Sequence, residues 1–333
     1  LLLQRSQSGR AEDKGTWAAV QAWKPVPDSF QRVFAIRNLG KLLFVAGLVG
    51  ALALQLFVTH ATAVTLVVIA AFTTVGLSVG IVTGLGGQLS LGQFALGGVG
   101  ATLSYVVTSH GWGFVPALVA AGVVAGVVSL AIGIPALRIR GLMLAVTTLS
   151  FALAAQNWVL QQSWMLGRGV NPARPSFAGV DFSSSRSYAL IALAVLVVAT
   201  WLAWNVWRSG AGRQLRSVRD NEDAARAFTV PATRVKVQAF VLGGFLAGLG
   251  GAVYGHLLAQ LGANAFPIDA SINAAAIAVL GGISSLFGPL LGALYIIGVP
   301  EFLPLDNAGL AATSLGWLLL ILYQPGGITQ ALR

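Results

Sequence analysis

Apolar residues in this chain fall in long, nearly unbroken stretches rather than in alternating or one-faced patterns. Stretches of spanning length lie near 41–59, 62–83, 88–109, 114–137, 141–163, 188–207, 237–259 and 308–323, and a broken stretch covers 271–298. About 20 apolar residues carry a helix across a bilayer. The pattern therefore predicts an all-α polytopic membrane protein with about eight transmembrane helices. The broken stretch holds Gly281, Gly282, Gly288, Pro289 and Gly292. That density of helix breakers predicts a re-entrant or broken element, and if it enters and leaves on one side the final span ends inside.

One span is unusual. Segment 84–101 carries seven glycines in eighteen residues, with Gln88, Ser90 and Gln93 interleaved. Irregular or polar backbone at membrane depth is tolerated where it is buried in protein or lines a cavity. The segment thus has two readings, a wall of a path through the membrane or close helix packing by small residues. Part of it recurs: with Gly86 set against Gly281, Gly87 meets Gly282, Ser90 meets Ser285, Leu91 meets Leu286 and Gly97 meets Gly292. Paired, glycine-interrupted segments in two halves of a chain point to a weak internal pseudo-repeat and to a transporter's central site. Gln88, Ser90, Gln93, Ser284 and Ser285 are the candidate path residues.

Charge orients the spans. Residues 1–38 are polar and basic and form an expected cytoplasmic lead-in, distinct from a transmembrane domain at 39–333. The lead-in, the Arg138–Arg140 loop and the loop 208–236 all fall on one side by span parity, and all are basic. The positive-inside rule makes that side cytoplasmic and puts both termini there. The outer loop 164–187, with Arg168, Arg174 and Arg186, is an exception without an account. Trp201, Trp204 and Trp207 read as an interfacial belt.

Composition narrows the chemistry. The chain is 56% hydrophobic and 9% charged, with net charge +10 and no cysteine. In such a membrane protein, basic charge reports topology and contact with lipid, not nucleic acid. His60, His110 and His256 are scattered, so no metal site is expected. No acidic or basic residue falls near the middle of a span, which disfavours a proton-coupled carrier. No phosphate-binding G-x-x-x-x-G-K-[ST] motif occurs, so ATP, if used, is bound by another chain. No catalytic residues are expected.

The loop at 210–240 predicts a short surface helix. Asp220 or Asn221 caps it, Glu222 and Arg226 pair at i, i+4, and Pro231 ends it. Ala224, Ala225 and Phe228 form a small apolar face.

Taken together, GLGGQLSLGQFALGGVGA, LRIRGLMLAVTTLSFA (137–152), GRQLRSVRDNEDAARAFTVPATRVKVQAFVLGGFLAGLGGAVYG (212–255), INAAAIAVLGGISSLFGPLLGALYI (272–296) and YQPGGI (323–328) resemble the bacterial ABC-importer permeases for branched-chain amino acids, the M-type subunit of Liv-type systems. The likeness covers about residues 40–330. Two departures stand out: Met143 occupies a position where an aromatic is common, and Thr229 one where glycine is usual. The resemblance implies a bacterial inner-membrane permease that is not itself an enzyme and binds no cofactor. It implies a homologous H-type permease, two cytoplasmic ATPases that bind ATP, and an extracytoplasmic solute-binding protein as partners. It also implies that Arg219, Glu222, Ala224, Ala225, Arg226 and Phe228 belong to the helix that couples the permease to an ATPase. Branched-chain amino acids are the implied solute, with urea, short amides, other amino acids and sugars as alternatives within the class. A stand-alone carrier or channel is the alternative outside it. Residues 1–38 leave room for a fused or extended form.

Overall fold

The computed structural model describes residue 50 and residues 59–333, apart from 137–140, 175, 178–179, 183, 304–305, 324–325 and 332–333. The lead-in 1–38, nearly all of the expected first span and the loop with Arg138 and Arg140 lie outside the described residues.

Helix α1, His60–Val79, opens on Thr59, whose hydroxyl caps the Thr62 amide, and continues as a wider π turn over Gly80–Leu85. Then the chain breaks. Residues 86–92 are not helical, and α2 begins only at Gln93, running to Ser109. The span expected at 88–109 is therefore shorter than its apolar stretch. The cause is local: Gly87 sits at φ +66°, a conformation that favours glycine and stops the helix. Helices α3 (Phe114–Ala136), α4 (Leu142–Ala154, extended by a π turn to Val159) and α5 (Ser185–Arg208) follow. A two-residue hairpin, β1 (Ser176–Phe177) with β2 (Val180–Asp181), decorates the α4–α5 connection of this otherwise helical protein.

Two short helices come next, α6 (Gly210–Asp220) and α7 (Glu222–Ala227), before the long α8 (Ala232–Leu257). The broken stretch is a hairpin of α9 (Ile268–Gly282) and the leg Gly288–Phe302, made of α10 (Gly288–Ala293), a π turn and α11 (Val299–Phe302). Its first leg, taken with the turn before it as Ala263–Gly282, is long and apolar enough to cross a membrane, and its second leg is shorter. Helix α12 (Asn307–Tyr323) and the one-turn α13 (Ile328–Ala331) close the described chain.

Among the described residues, six helices are long and apolar enough to cross a membrane, and α10–α11 and α12 supply shorter apolar lengths. Most of α1 and α8 is buried, whereas most of α3, α4 and α5 is not. Helix α8 is the axis of the bundle, packed against α1, α2 and α3. Its glycines bring backbones close: a methyl group on Gly100 of α2 would stand 2.5 Å from the Gly248 Cα. Such contacts suit a bilayer, where packing rather than water expulsion drives association. The rim is apolar, with Val119, Val127, Met143, Trp158, Val198 and Trp201 exposed. A surface of that kind is stable in lipid and not in water.

Several polar side chains inside the bundle are tied, although Thr73 Oγ1 and Ser185 Oγ are buried without a partner among the described residues. His256 of α8 bonds Ser104 of α2 through Nε2 and the Ala173 carbonyl through Nδ1, both at 2.9 Å. This fixes the far end of α8 to the α4–α5 connection. Residue contacts give the helices their directions. Gly76 and Gly84 of α1 face Ile277 and Ile283, so α9 runs parallel to α1. Pro289 returns to Gly76, so α10 runs back.

Candidate functional site

Two features converge at the end of the bundle that carries the basic loop. The first is the glycine break. Its residues are held on three sides: Thr83 of the α1 extension donates to the Gln88 carbonyl at 3.0 Å, the Leu91 amide donates to Thr148 of α4 at 2.9 Å, and α6 lies over Gly87. Of the expected path residues, Ser90 and Gln93 are buried and bonded to one another, Gln93 Nε2 donating to Ser90 Oγ at 3.0 Å. Ser78 of α1 donates to Gln93 Oε1 at 2.8 Å. Gln88 is half-buried and reaches the Gly86 carbonyl. These amides and hydroxyls form a ladder joining α1 to the start of α2.

Depth follows from helix rise. Ser78 precedes the end of the α1 extension by seven residues, so Gln93 lies about 10 Å inside the basic end at 1.5 Å per residue. The break thus lies toward that end of the bundle. The second break, the α9–α10 turn, sits beside it. Ile283 adjoins Gly84, and Gly282 at φ +116° matches Gly87 at +66°. Ser285 is half-buried, its amide on the Gly282 carbonyl at 2.9 Å, and Ser284 is exposed. The two halves of the sequence repeat therefore meet in space.

The second feature is an elbow of α6 and α7. The expected short helix is present as α7, with Asn221 Oδ1 accepting from the Ala224 amide at 2.9 Å, and a second helix, α6, precedes it and meets it in a bend at Asn221. Asn221 is extended, with φ −157° and ψ 103°, which ends α6 as it starts α7. The expected apolar face is divided. Ala225 is buried, while Ala224 and Phe228, one turn apart, point outward, with Phe228 81% exposed.

Of the charged residues of the elbow, Arg216, Arg219 and Glu222 are half-buried, whereas Arg213, Asp220, Asp223 and Arg226 are exposed. Glu222 pairs with exposed Arg226 at 2.6 Å and with Lys236 of α8 at 2.7 Å. Lys236 is buried, its ammonium facing Glu222. Arg219 pairs with Asp220 at 2.9 Å and donates from Nη1 to the Gly84 carbonyl at 2.5 Å. So Glu222 and Arg219 fasten the elbow to α8 and to α1, and only Ala224, Arg226 and Phe228 of the expected set face outward. Sequence reasoning counted Lys236 among loop charges. Its position five residues beyond Pro231, inside the next helix, was the available sign of burial. The Gly84 carbonyl, a backbone group, left no sign at all.

Among the described residues no three metal-ligating side chains cluster. Comparison with known proteins places these features in context. The model of a family described as "Branched-chain amino acid transport system / permease component" matches residues 61–322. The chain is 27% identical to the high-affinity branched-chain amino acid transport system permease protein LivM of Salmonella typhimurium, over 88% of this chain and 76% of that protein, and equally to LivM of Escherichia coli. It is 33% identical to the autoinducer 2 import system permease protein LsrC of Klebsiella pneumoniae, over 40% of this chain and 38% of that protein. No solved structure matches.

Proposed function

The chain belongs to the branched-chain amino acid transport permease family, and from that premise we propose that it is the membrane-spanning M-type subunit of an ATP-driven importer of leucine, isoleucine and valine. It pairs with a homologous H-type permease and receives solute from an extracytoplasmic binding protein. Energy comes from two cytoplasmic ATPases, one of which seats the elbow. The basic end is the cytoplasmic end, as the arginines of 208–236 require under the positive-inside rule, and both termini lie there in the bacterial inner membrane. Residues 1–38 form a separate cytoplasmic segment ahead of the transmembrane domain 39–333.

The observation that carries this reading is the outward Phe228 at the end of α7, on an elbow that Glu222 and Arg219 fasten to the bundle. A lone aromatic knob on a short helix suits a groove on a partner, and a stand-alone carrier has no use for it. Gln88, Ser90, Gln93, Ser284 and Ser285 mark the cytoplasmic mouth of the path. Ser90 and Gln93 hold its wall, and exposed Ser284 and half-buried Gln88 remain for solute. The likeness to LsrC favours a second solute, autoinducer 2, beside the sugars of the same importer class.

The test is purification of the assembled complex and uptake of labelled leucine into vesicles containing it, with isoleucine, valine, urea and ribose as competitors. Competition by isoleucine and valine alone is expected. Competition by ribose in their place moves the assignment to the sugars. A complex containing no ATPase overturns the importer reading.

A further inference from the structure

We propose that Arg219 is a positioning residue that ties the α6–α7 elbow to the glycine break, so that movement of the elbow is delivered to residues 84–93. The inference rests on the importer reading and adds the route by which the ATPase moves the path.

Three observations meet at this side chain. Its Nη1 donates to the carbonyl of Gly84, in the π turn that ends α1. Its stem lies across Gly87, where a methyl group would stand 2.6 Å from Arg219 Cγ. Its Nε and Nη2 both hold Asp220 Oδ1 at 2.9 Å, next to Asn221, the bend and the cap of α7. One planar group thus spans from the bend of the elbow to the last turn of α1. Guanidinium suits the task because its donors point in fixed, different directions, whereas an ammonium is a single point of charge. The carbonyl end of a helix also carries partial negative charge, which a cation there complements.

The rest of the elbow completes a lever. Glu222 holds Lys236 at the base of α8, and Phe228 projects six residues beyond it. A partner gripping Phe228 moves the bend while Glu222 restrains one side, and Arg219 conveys the displacement to Gly84. Beyond Gly84 the chain has the means to yield: Gly87 at positive φ, followed by a non-helical stretch up to Gln93. Ile283 abuts Gly84, so the α9–α10 turn receives the same displacement.

The experiment uses the full complex in vesicles. These 333 residues hold no cysteine, so Leu89→Cys, in a complex whose partner chains are freed of cysteine, accepts a single environment-sensitive fluorophore within the break. The expected result is a fluorescence change when ATP is added to the otherwise unaltered complex. With Arg219→Gln that response is lost and ATP consumed per leucine imported rises about five-fold or more. Arg219→Lys, which keeps the charge and not the fork, behaves like Arg219→Gln in both readouts. A merely structural role would lower yield and thermal stability and leave ATP consumed per leucine unchanged in the protein that remains. The proposal is overturned if either variant keeps the native response and stoichiometry. Should neither variant insert, hydrogen exchange of amides 86–93 in the unaltered complex decides: no difference with and without ATP overturns the proposal. An unaltered complex that lacks an ATPase defeats the importer reading instead, so the two failures are separable.

Discussion

Thr229→Gly should tighten the exit of the α7 helix. The α7 helix ends with the Thr229 amide on the Arg226 carbonyl and the Val230 amide on the Ala225 carbonyl, both at 3.0 Å. This pair of bonds defines a Schellman ending, whose turning residue is left-handed and usually glycine. Here the turning residue is Thr229, at φ +63°, the sole positive-φ residue other than glycine among those described. A left-handed residue with a Cβ costs about 1–2 kcal/mol, and threonine is β-branched, which makes the position worse. Glycine removes that cost and adds about 0.5–1 kcal/mol of chain entropy to the opened state. The net gain is about 1 kcal/mol, equivalent to about five-fold in a local opening equilibrium. Opening at a surface helix is local, so the global melting temperature is the wrong measure. Hydrogen exchange at the amides of Phe228, Thr229 and Val230 is the right one, and it should slow about five-fold. Thr229→Ala should fall between, since it loses the branch and keeps the Cβ. Exchange that quickens in Thr229→Gly refutes the reasoning, because the threonine side chain would then be contributing more than its backbone costs.

Three further outcomes follow from the packing. Gly100→Ala should lower thermal stability in detergent markedly, because its methyl group would stand within 2.6 Å of Gly248 backbone, whereas Gly210→Ala, with its nearest atom at 3.8 Å, should be near neutral. Glu222→Gln should destabilise the protein by about 3 kcal/mol by stranding the buried Lys236, with exposed Asp223→Asn within about 0.5 kcal/mol of the parent; a smaller loss at Glu222 than at Asp223, by thermal unfolding, refutes the pairing. Phe228→Ala should leave the melting temperature unchanged, since the ring is 81% exposed, yet weaken ATPase binding about ten-fold or more by titration, as loss of a central aromatic anchor does.

Much of the architecture was legible because bilayer spans advertise themselves by length and apolarity. The stretches at 62–83, 114–137 and 188–207 became α1, α3 and α5 nearly residue for residue. The errors fell where polar bonding or backbone conformation overrides hydropathy. At 88–109 the apolar count ran on through Leu89 and Leu91, but Gly87 and the bond from Leu91 to Thr148 hold the chain out of helix until Gln93. At 220–229 the capping pattern was read correctly around Asn221, yet the same residue also ends a helix that precedes it. The inward turn of Glu222 was illegible because its partner Lys236 lies fourteen residues away and an i, i+4 partner, Arg226, already accounted for it. Local pairs are visible in a sequence and pairs across the fold are not.

The repeated glycine motif shows what the sequence alone leaves open about symmetry. A recurring G-G-x-x-S-L pattern fits either an inverted repeat, with its halves entering the membrane from opposite sides, or a parallel one. The contacts decide between them. Helices α1 and α9 run in the same direction, each ends at a glycine of positive φ, and each is followed by a break and a helix running back. The two segments therefore run in the same direction. An inverted pair would place one break at each face and leave a single surface lever able to reach only one. A parallel pair places both at the basic end, in contact through Gly84 and Ile283, directly beneath the elbow that holds Gly84. One displacement at that end therefore meets both breaks. This is a physical reason for the glycines, the basic loop and the outward phenylalanine to occur together at one end of the same bundle.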